Sequence, residues 1–275
     1  KLVFEKQRQA VVHSSRLVLP SRAMVDTLRR CYRRLNGSAA GIEDRALVVP
    51  WGGWCEAVDA EAARARAAEL RAHYQLAPGT RVLMTLSRLS AEKGVHLLLE
   101  ALERMEADAT APEDVCLFIC GEAAFMGGAA YERRVRKLAK RLGRVRVFFP
   151  GYVAGVEKQA FFSLADLFLS PSVHDSYGLT VVEALRAGLP VLASDHYGVH
   201  EIFAQDGATD RARGFGRTVS YASGDPAGAL KAELESLLAE PAGLEAMGER
   251  ARRAGEGMGF PEAARKLAEA ALELA

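Results

Sequence analysis

Residues 165–195 read A-D-L-F-L-S-P-S-V-H-D-S-Y-G-L-T-V-V-E-A-L-R-A-G-L-P-V-L-A-S-D. The apolar run 167–169 is short and stops at Ser170 and Pro171, which suits a strand rather than a helix. Residues 172–176 form a polar loop. Gly178 then opens a run of helix formers that closes at Ala187 and Gly188, where glycine can take the left-handed conformation that ends a helix. Pro190 begins a second apolar strand. Strand, helix, strand is a βαβ unit, and it predicts a parallel sheet with a right-handed crossover. In open α/β sheets ligands bind outside the carboxyl ends of the strands, where the 172–176 loop falls. The helix that follows offers unpaired N–H groups and a partial positive charge, suited to a phosphate. Asp175 and Glu183 lie on that loop and in the first turns of that helix.

The same alternation continues outward from this unit. Strands are predicted at 82–86, 115–120, 145–149 and 214–219. Helices are predicted at 95–105, 131–142, 156–164, 199–204 and 226–239. Residues 81–258 are therefore an α/β domain, a doubly wound parallel sheet of Rossmann-like type. Helices at 241–255 and 261–274 close the chain, the second of them in a tail of residues 259–275. Upstream, residues 55–80 read as a helical linker ending in the turn Ala77, Pro78, Gly79, Thr80. Residues 1–54 read as the remnant of another domain. They hold short strands at 16–19 and 46–49, and a helix capped by Ser21 whose Met24, Val25, Leu28, Cys31, Tyr32 and Leu35 form one apolar stripe. Arg29, Arg30, Arg33 and Arg34 fill much of its other face. That face is either a solvated surface or one drawn to an anionic membrane or acidic acceptor. Trp51, Gly52, Gly53 and Trp54 break the pattern and are a candidate hinge.

Composition narrows the function. The chain has 275 residues, 49% hydrophobic and 26% charged, with a net charge of +1, which argues against a dedicated nucleic-acid binder. The charge is uneven: residues 1–50 hold ten Lys/Arg against four Asp/Glu. Cys31, Cys55, Cys116 and Cys120 form no CxxC pair, and the last two share the apolar run V-C-L-F-I-C, where cysteine serves as a small core residue. No signal peptide and no run of 18 apolar residues is present, so the expectation is a reduced, cytoplasmic chain. The sequon Asn36, Gly37, Ser38 is then read as a turn. Position 1 is Lys and the first methionine is Met24, so a piece of a longer protein is expected.

Two loops could carry chemistry. S-R-L-S-A-E-K-G, residues 87–94, follows the first strand of the sheet and shares a rim with the Asp175 loop. Arg88 and Lys93 could clamp a diphosphate, one by its planar fork and one as a point charge, while Gly94 lets backbone come close. Asp175 and Glu183 could accept hydrogen bonds from ribose or sugar hydroxyls. Each feature alone also fits ordinary solvated charge, or an acid favouring a helix start. His174, His196 and His200 have no metal-ligand spacing, and no metal is expected. Ser172 and Ser176 lack a G-x-S-x-G setting. There is no P-loop, and no strand leads into a G-x-G-x-x-G turn.

In combination these segments resemble a known family. S-R-L-S-x-E-K-G, F-x-P-G-Y-V, A-D-L-F-L-S-P-S, D-S-Y-G-L-x-x-x-E-A-L-x-A-G-L-P-V-L-A-S-D and G-V-x-E-I, in this order, resemble the C-terminal half of retaining GT-B glycosyltransferases of the family 4 (group 1) type. The match covers about residues 81–240, and residues 10–54 resemble the end of the N-terminal, acceptor-binding domain and the crossing into the second. The resemblance implies a nucleoside-diphosphate sugar as co-substrate, transfer with retention, and no metal or other cofactor. Arg88 and Lys93 would hold the diphosphate and stabilise its departure. The N–H groups of Gly178, Leu179 and Thr180, with Ser176 beside them, would meet phosphate or sugar. Glu183 would bind the ribose, Asp175 the donor sugar, and backbone at Tyr152 and Val153 the base. The tail would return to the N-terminal domain, most of which lies outside this sequence, so the chain alone is expected to bind donor and transfer little. Two positions depart from the family pattern: Asp175 stands where Glu is usual, and Trp51-Gly52 where Asn-Gly is common. A non-catalytic nucleotide-sugar-binding module and a nucleotide-sugar epimerase of the same fold remain open alternatives.

Overall fold

The computed structural model describes residues 2–32, 41–53, 59–124, 127–204 and 214–273. Arg33, Arg34, Leu35, the sequon, Trp54 and Cys55 lie outside the described residues.

Six parallel strands form the main sheet: β3 (Arg81–Leu86), β4 (Val115–Cys120), β5 (Arg146–Gly151), β6 (Leu167–Ser170), β7 (Val191–Ser194) and β8 (Gly216–Val219). Their order is β5-β4-β3-β6-β7-β8. The chain winds one way from β3 to β5, returns, and winds the other way from β6 to β8. The doubly wound α/β fold expected from the alternation is therefore present.

Period-two alternation explains the layers. Val82, Met84, Cys116, Phe118, Phe168, Val191 and Ala193 point to one face and join a core with α4 (Ala60–His73), α7 (Gly155–Leu164) and α8 (Leu179–Arg186). Leu83, Leu117, Ile119, Leu167, Leu169 and Leu192 point to the other, against α5 (Val95–Ala107), α6 (Gly128–Ala139) and α10 (Pro226–Leu238). Every residue of β4, β6 and β7 is buried, as central parallel strands require. Cys116 and Cys120 belong to this core, and burial pushes the Cys116 thiol up to about 12, far from reactivity.

The segment expected as a linker packs as part of this lobe. Helix α4 buries Ala63, Ala67 and Leu70, and its Arg66 pairs with Glu157 of α7 at 2.6 Å. Helix α9 (Tyr197–Ala204) follows β7, and α11 (Pro241–Glu256) lies on α8, close enough that a side chain at Gly255 would meet the Arg186 backbone at 2.6 Å.

The first residues make a small separate core. Strands β1 (Leu17–Leu19) and β2 (Ala46–Val48) pair in parallel, and Val11, Val25, Leu28, Tyr32 and Ile42 are buried together. Helix α2 (Arg22–Cys31) starts where expected: the Ser21 hydroxyl accepts from the Met24 N–H at 3.2 Å. Two further helices, α1 (Leu2–His13) and the single turn α3 (Ile42–Arg45), were not expected from the pattern. The cationic face of α2 is partly neutralised, because Arg29 pairs with Glu43. Among the described residues no helix is long and apolar enough to cross a membrane.

The two parts meet at a crossing. Gly53 N–H donates to the Met258 carbonyl at 2.9 Å, and Gly53 pairs with Gly259 just before α12 (Phe260–Leu272). A side chain at Gly52 would lie 2.2 Å from the Gly259 carbonyl carbon.

Candidate functional site

The winding reverses between β3 and β6. Such a switch point leaves a crevice at the strands' carboxyl ends, because the loops there diverge to opposite faces. Here those loops are residues 87–94 and 171–178. A cleft of about 240 Å³ lies between them, lined by Arg88, Lys93, Asp175, Ser176, Gly178, Leu179 and Thr180, together with Trp51, Ser87, Ser170, Ser172 and Tyr177.

The two loops are stitched to each other. The Glu92 carbonyl accepts from the N–H groups of Val173 at 2.8 Å and His174 at 3.3 Å. Residues 91–93 form one 3₁₀ turn (Ala91–Lys93), which aims Lys93 across the cleft. Its Nζ lies 2.5 Å from Asp175 Oδ2, and both side chains are mostly buried. Burial alone would raise the Asp175 carboxyl, but the Lys93 hydrogen bond and charge outweigh it and hold the group below the ordinary carboxylate value. Arg88, about half exposed, sits 3.6 Å from Glu92.

Helix α8 points its start into the cleft. Gly178 caps it at φ +99°, a conformation that favours glycine, and no side chain caps the helix. Among the described residues nothing accepts from the N–H groups of Gly178, Leu179 and Thr180. Three free donors, the partial positive charge of the helix end and two cations thus face one space, with a single carboxylate opposite. The Ser87 hydroxyl is buried at the same rim and has no hydrogen-bond partner among the described residues.

Four expected residues lie off this lining. Gly94 has φ +66° and abuts Pro171, where a side chain would come within 1.9 Å of the carbonyl oxygen; the close approach is to protein backbone. Tyr152 is 74% exposed and Val153 is buried beside α7, at the far side of the rim. Glu183 stands one turn further along α8, paired with Lys158 of α7 at 3.1 Å. Trp51 and Lys158 were not expected at the site. The Trp51 signal was its place after Pro50 in the crossing, read only as a hinge. Among the described residues no group of three or more His, Cys, Asp or Glu is placed to hold a metal ion.

Residues 67–254 match the family of glycosyl transferases group 1. The chain belongs to that family. Alpha-monoglucosyldiacylglycerol synthase of Streptococcus pneumoniae is 29% identical over 174 residues, 63% of this chain and 35% of the synthase. Alpha-maltose-1-phosphate synthase of Mycobacterium tuberculosis is 26% identical over 251 residues, 90% of this chain and 60% of that protein. This group 1 chain thus spans between about a third and three fifths of these relatives' lengths. Its fold resembles Anabaena Alr3699/HepE, solved in complex with UDP and glucose, with a TM-score of 0.75 at 20% identity, over 98% of this chain and 66% of that one. The matching region contains the whole cleft apart from Trp51.

Proposed function

We propose that this group 1 chain is the donor-binding half of a retaining glycosyltransferase of the family 4 type, taking a nucleoside-diphosphate sugar. The observation that carries the reading is the convergence of Arg88, Lys93 and the uncapped start of α8 on one cleft at the switch point. Similar proteins include an alpha-maltose-1-phosphate synthase and a lipopolysaccharide 1,2-N-acetylglucosaminetransferase, and the HepE structure holds UDP.

The chemistry suits those groups. Breaking the bond from the anomeric carbon sends its electron pair to the diphosphate and leaves an oxocarbenium-like sugar. Positive charge aimed at the phosphate grows in value as that charge develops, which lowers the barrier. Arg88 and Lys93 supply it, and the α8 N–H groups add donors. Asp175 meets the donor sugar, Glu183 the ribose, and Tyr152-Val153 the base. The acceptor attacks from the face the diphosphate leaves, and its proton passes to the departing phosphate. The acceptor site belongs to the partner half of the protein, so this chain alone binds donor and transfers little. The cations of α2 that Glu43 does not pair leave a weak attraction to an anionic membrane, fitting a lipid acceptor.

Calorimetric titration with UDP, GDP and ADP tests the reading. One of them is expected to bind, and Arg88→Ala to weaken it by about 1.5–3 kcal/mol, the cost of a charged hydrogen bond. Arg88 is about half exposed, so its loss should spare the fold. Failure of all three nucleotides to bind would sink the proposal.

A further inference from the structure

The ion pair between Lys158 and Glu183 is unusual for its burial. Lys158 Nζ lies 3.1 Å from Glu183 Oε1, with the side chains only 15% and 13% exposed. Most other ion pairs described in this chain sit at the open surface. Burying two charges costs more than a surface pair and commonly adds little stability over an apolar pair of similar size. A purely structural role would be served as well by apolar contact between α7 and α8.

The position of the pair suggests another reason for it. Both helices begin on the sheet's ligand-binding rim, α7 at Gly155 after β5 and α8 at Leu179 after β6. Lys158 and Glu183 each stand about one turn in from those starts. The α7 start adjoins Tyr152-Val153, and the α8 start lines the cleft. Glu157, next to Lys158, is tied to Arg66 of α4 at 2.6 Å, so the first turn of α7 is braced on both sides. Lys158 occupies Oε1 of Glu183, while Oε2 accepts no hydrogen bond from any described residue.

We infer that Lys158 is a positioning residue: it holds Glu183 by one oxygen and leaves the second oxygen to a ribose diol. The inference rests on the reading of Glu183 as the ribose ligand. Without that bond, no hydrogen bond from a described residue would fix the carboxylate's rotamer, and it could swing away. The lysine fixes its place, and it couples the base-side helix to the ribose-side helix. Lys158 needs no contact with the nucleotide for this effect.

The test uses the whole chain and whichever of UDP, GDP and ADP it binds, beside the 2′,3′-dideoxy form of the same nucleotide. Wild type should prefer the ribose form. Lys158→Gln should lose about tenfold in affinity for the ribose form and stay within about twofold for the dideoxy form. Lys158→Arg, which keeps the charge, should recover most of the loss. Glu183→Gln combined with Lys158→Gln should lose no more than Glu183→Gln alone, because the lysine acts through the acid. Thermal melting of each variant checks that the fold persists. Equal weakening of both nucleotide forms by Lys158→Gln would mean a packing role and overturn the inference, as would unchanged affinity for the ribose form. A wild type blind to the ribose hydroxyls would overturn the role of Glu183, and that of Lys158 with it. Failure to bind any nucleotide would instead strike the donor-site reading itself.

Discussion

His196 carries two buried ring nitrogens that meet no hydrogen-bond partner among the described residues. Burial holds the imidazole down to about 4; Asp175 and Asp195 oppose this, and Lys93 and His174 add to it. The ordinary value is 6.5, so between pH 4 and 6.5 the unfolded chain binds a proton that the folded chain refuses. Stability therefore rises with pH across that window and is lost as pH falls through it, at up to about 1.4 kcal/mol per pH unit. His196→Leu should flatten that slope in urea titrations run at several pH values. A slope unchanged in the variant would assign it to other groups. The Lys93–Asp175 pair acts lower. The Asp175 carboxyl is depressed below 3.8, so its contribution is complete above that value and disappears only in stronger acid.

At the level of elements, one carboxylate organises a whole turn. Glu106, in the last turn of α5, accepts from the N–H groups of Gly143 and Arg144 at 2.8 Å and of Val145 at 2.7 Å. These close the turn from α6 into β5. Glu106→Ala should cost about 1–3 kcal/mol in chemical denaturation, since it leaves donors unsatisfied. A loss under half of that would mean that water replaces the carboxylate. Most of the elements themselves were legible in the sequence. The strands of the main sheet announce themselves as short apolar runs closed by Ser, Pro or Gly, and Ser21 marks the start of α2. Helix α1 was missed because its apolar residues fall in two groups with Glu5, Lys6, Gln7 and Arg8 between, and only Val11 among its described side chains is buried. The cleft was legible through its loops, since Arg88, Lys93 and Asp175 follow strands directly. The contact of Gly94 with Pro171 and the pairing of Lys158 with Glu183 were not. They join residues far apart in sequence, and no periodicity links them.

For the molecule as a whole, its two parts join at the crossing of Gly52, Gly53 and Gly259 and where α2 meets α9, the Arg22 N–H donating to Glu201. Backbone meets backbone at the crossing too closely for side chains. Gly52→Ala should force the two segments apart, lower the melting temperature and speed proteolytic cleavage near residue 259. Unaltered melting and cleavage would show that the crossing yields without cost. The fold of residues 81–258 could be read from the sequence; the meeting of Gly53 with Gly259 could not, since two glycines some two hundred residues apart carry no shared signal. That meeting has an evolutionary corollary. The six-stranded lobe leaves and re-enters the rest of the chain at a single spot, like a purse drawn shut by its string. A recombination event that exchanged it whole would cut the backbone at one place, with the α2–α9 contact, where the Arg22 N–H meets Glu201, left to match. The lobe could then pass between proteins as a cassette, while the rest of the chain diverged on its own.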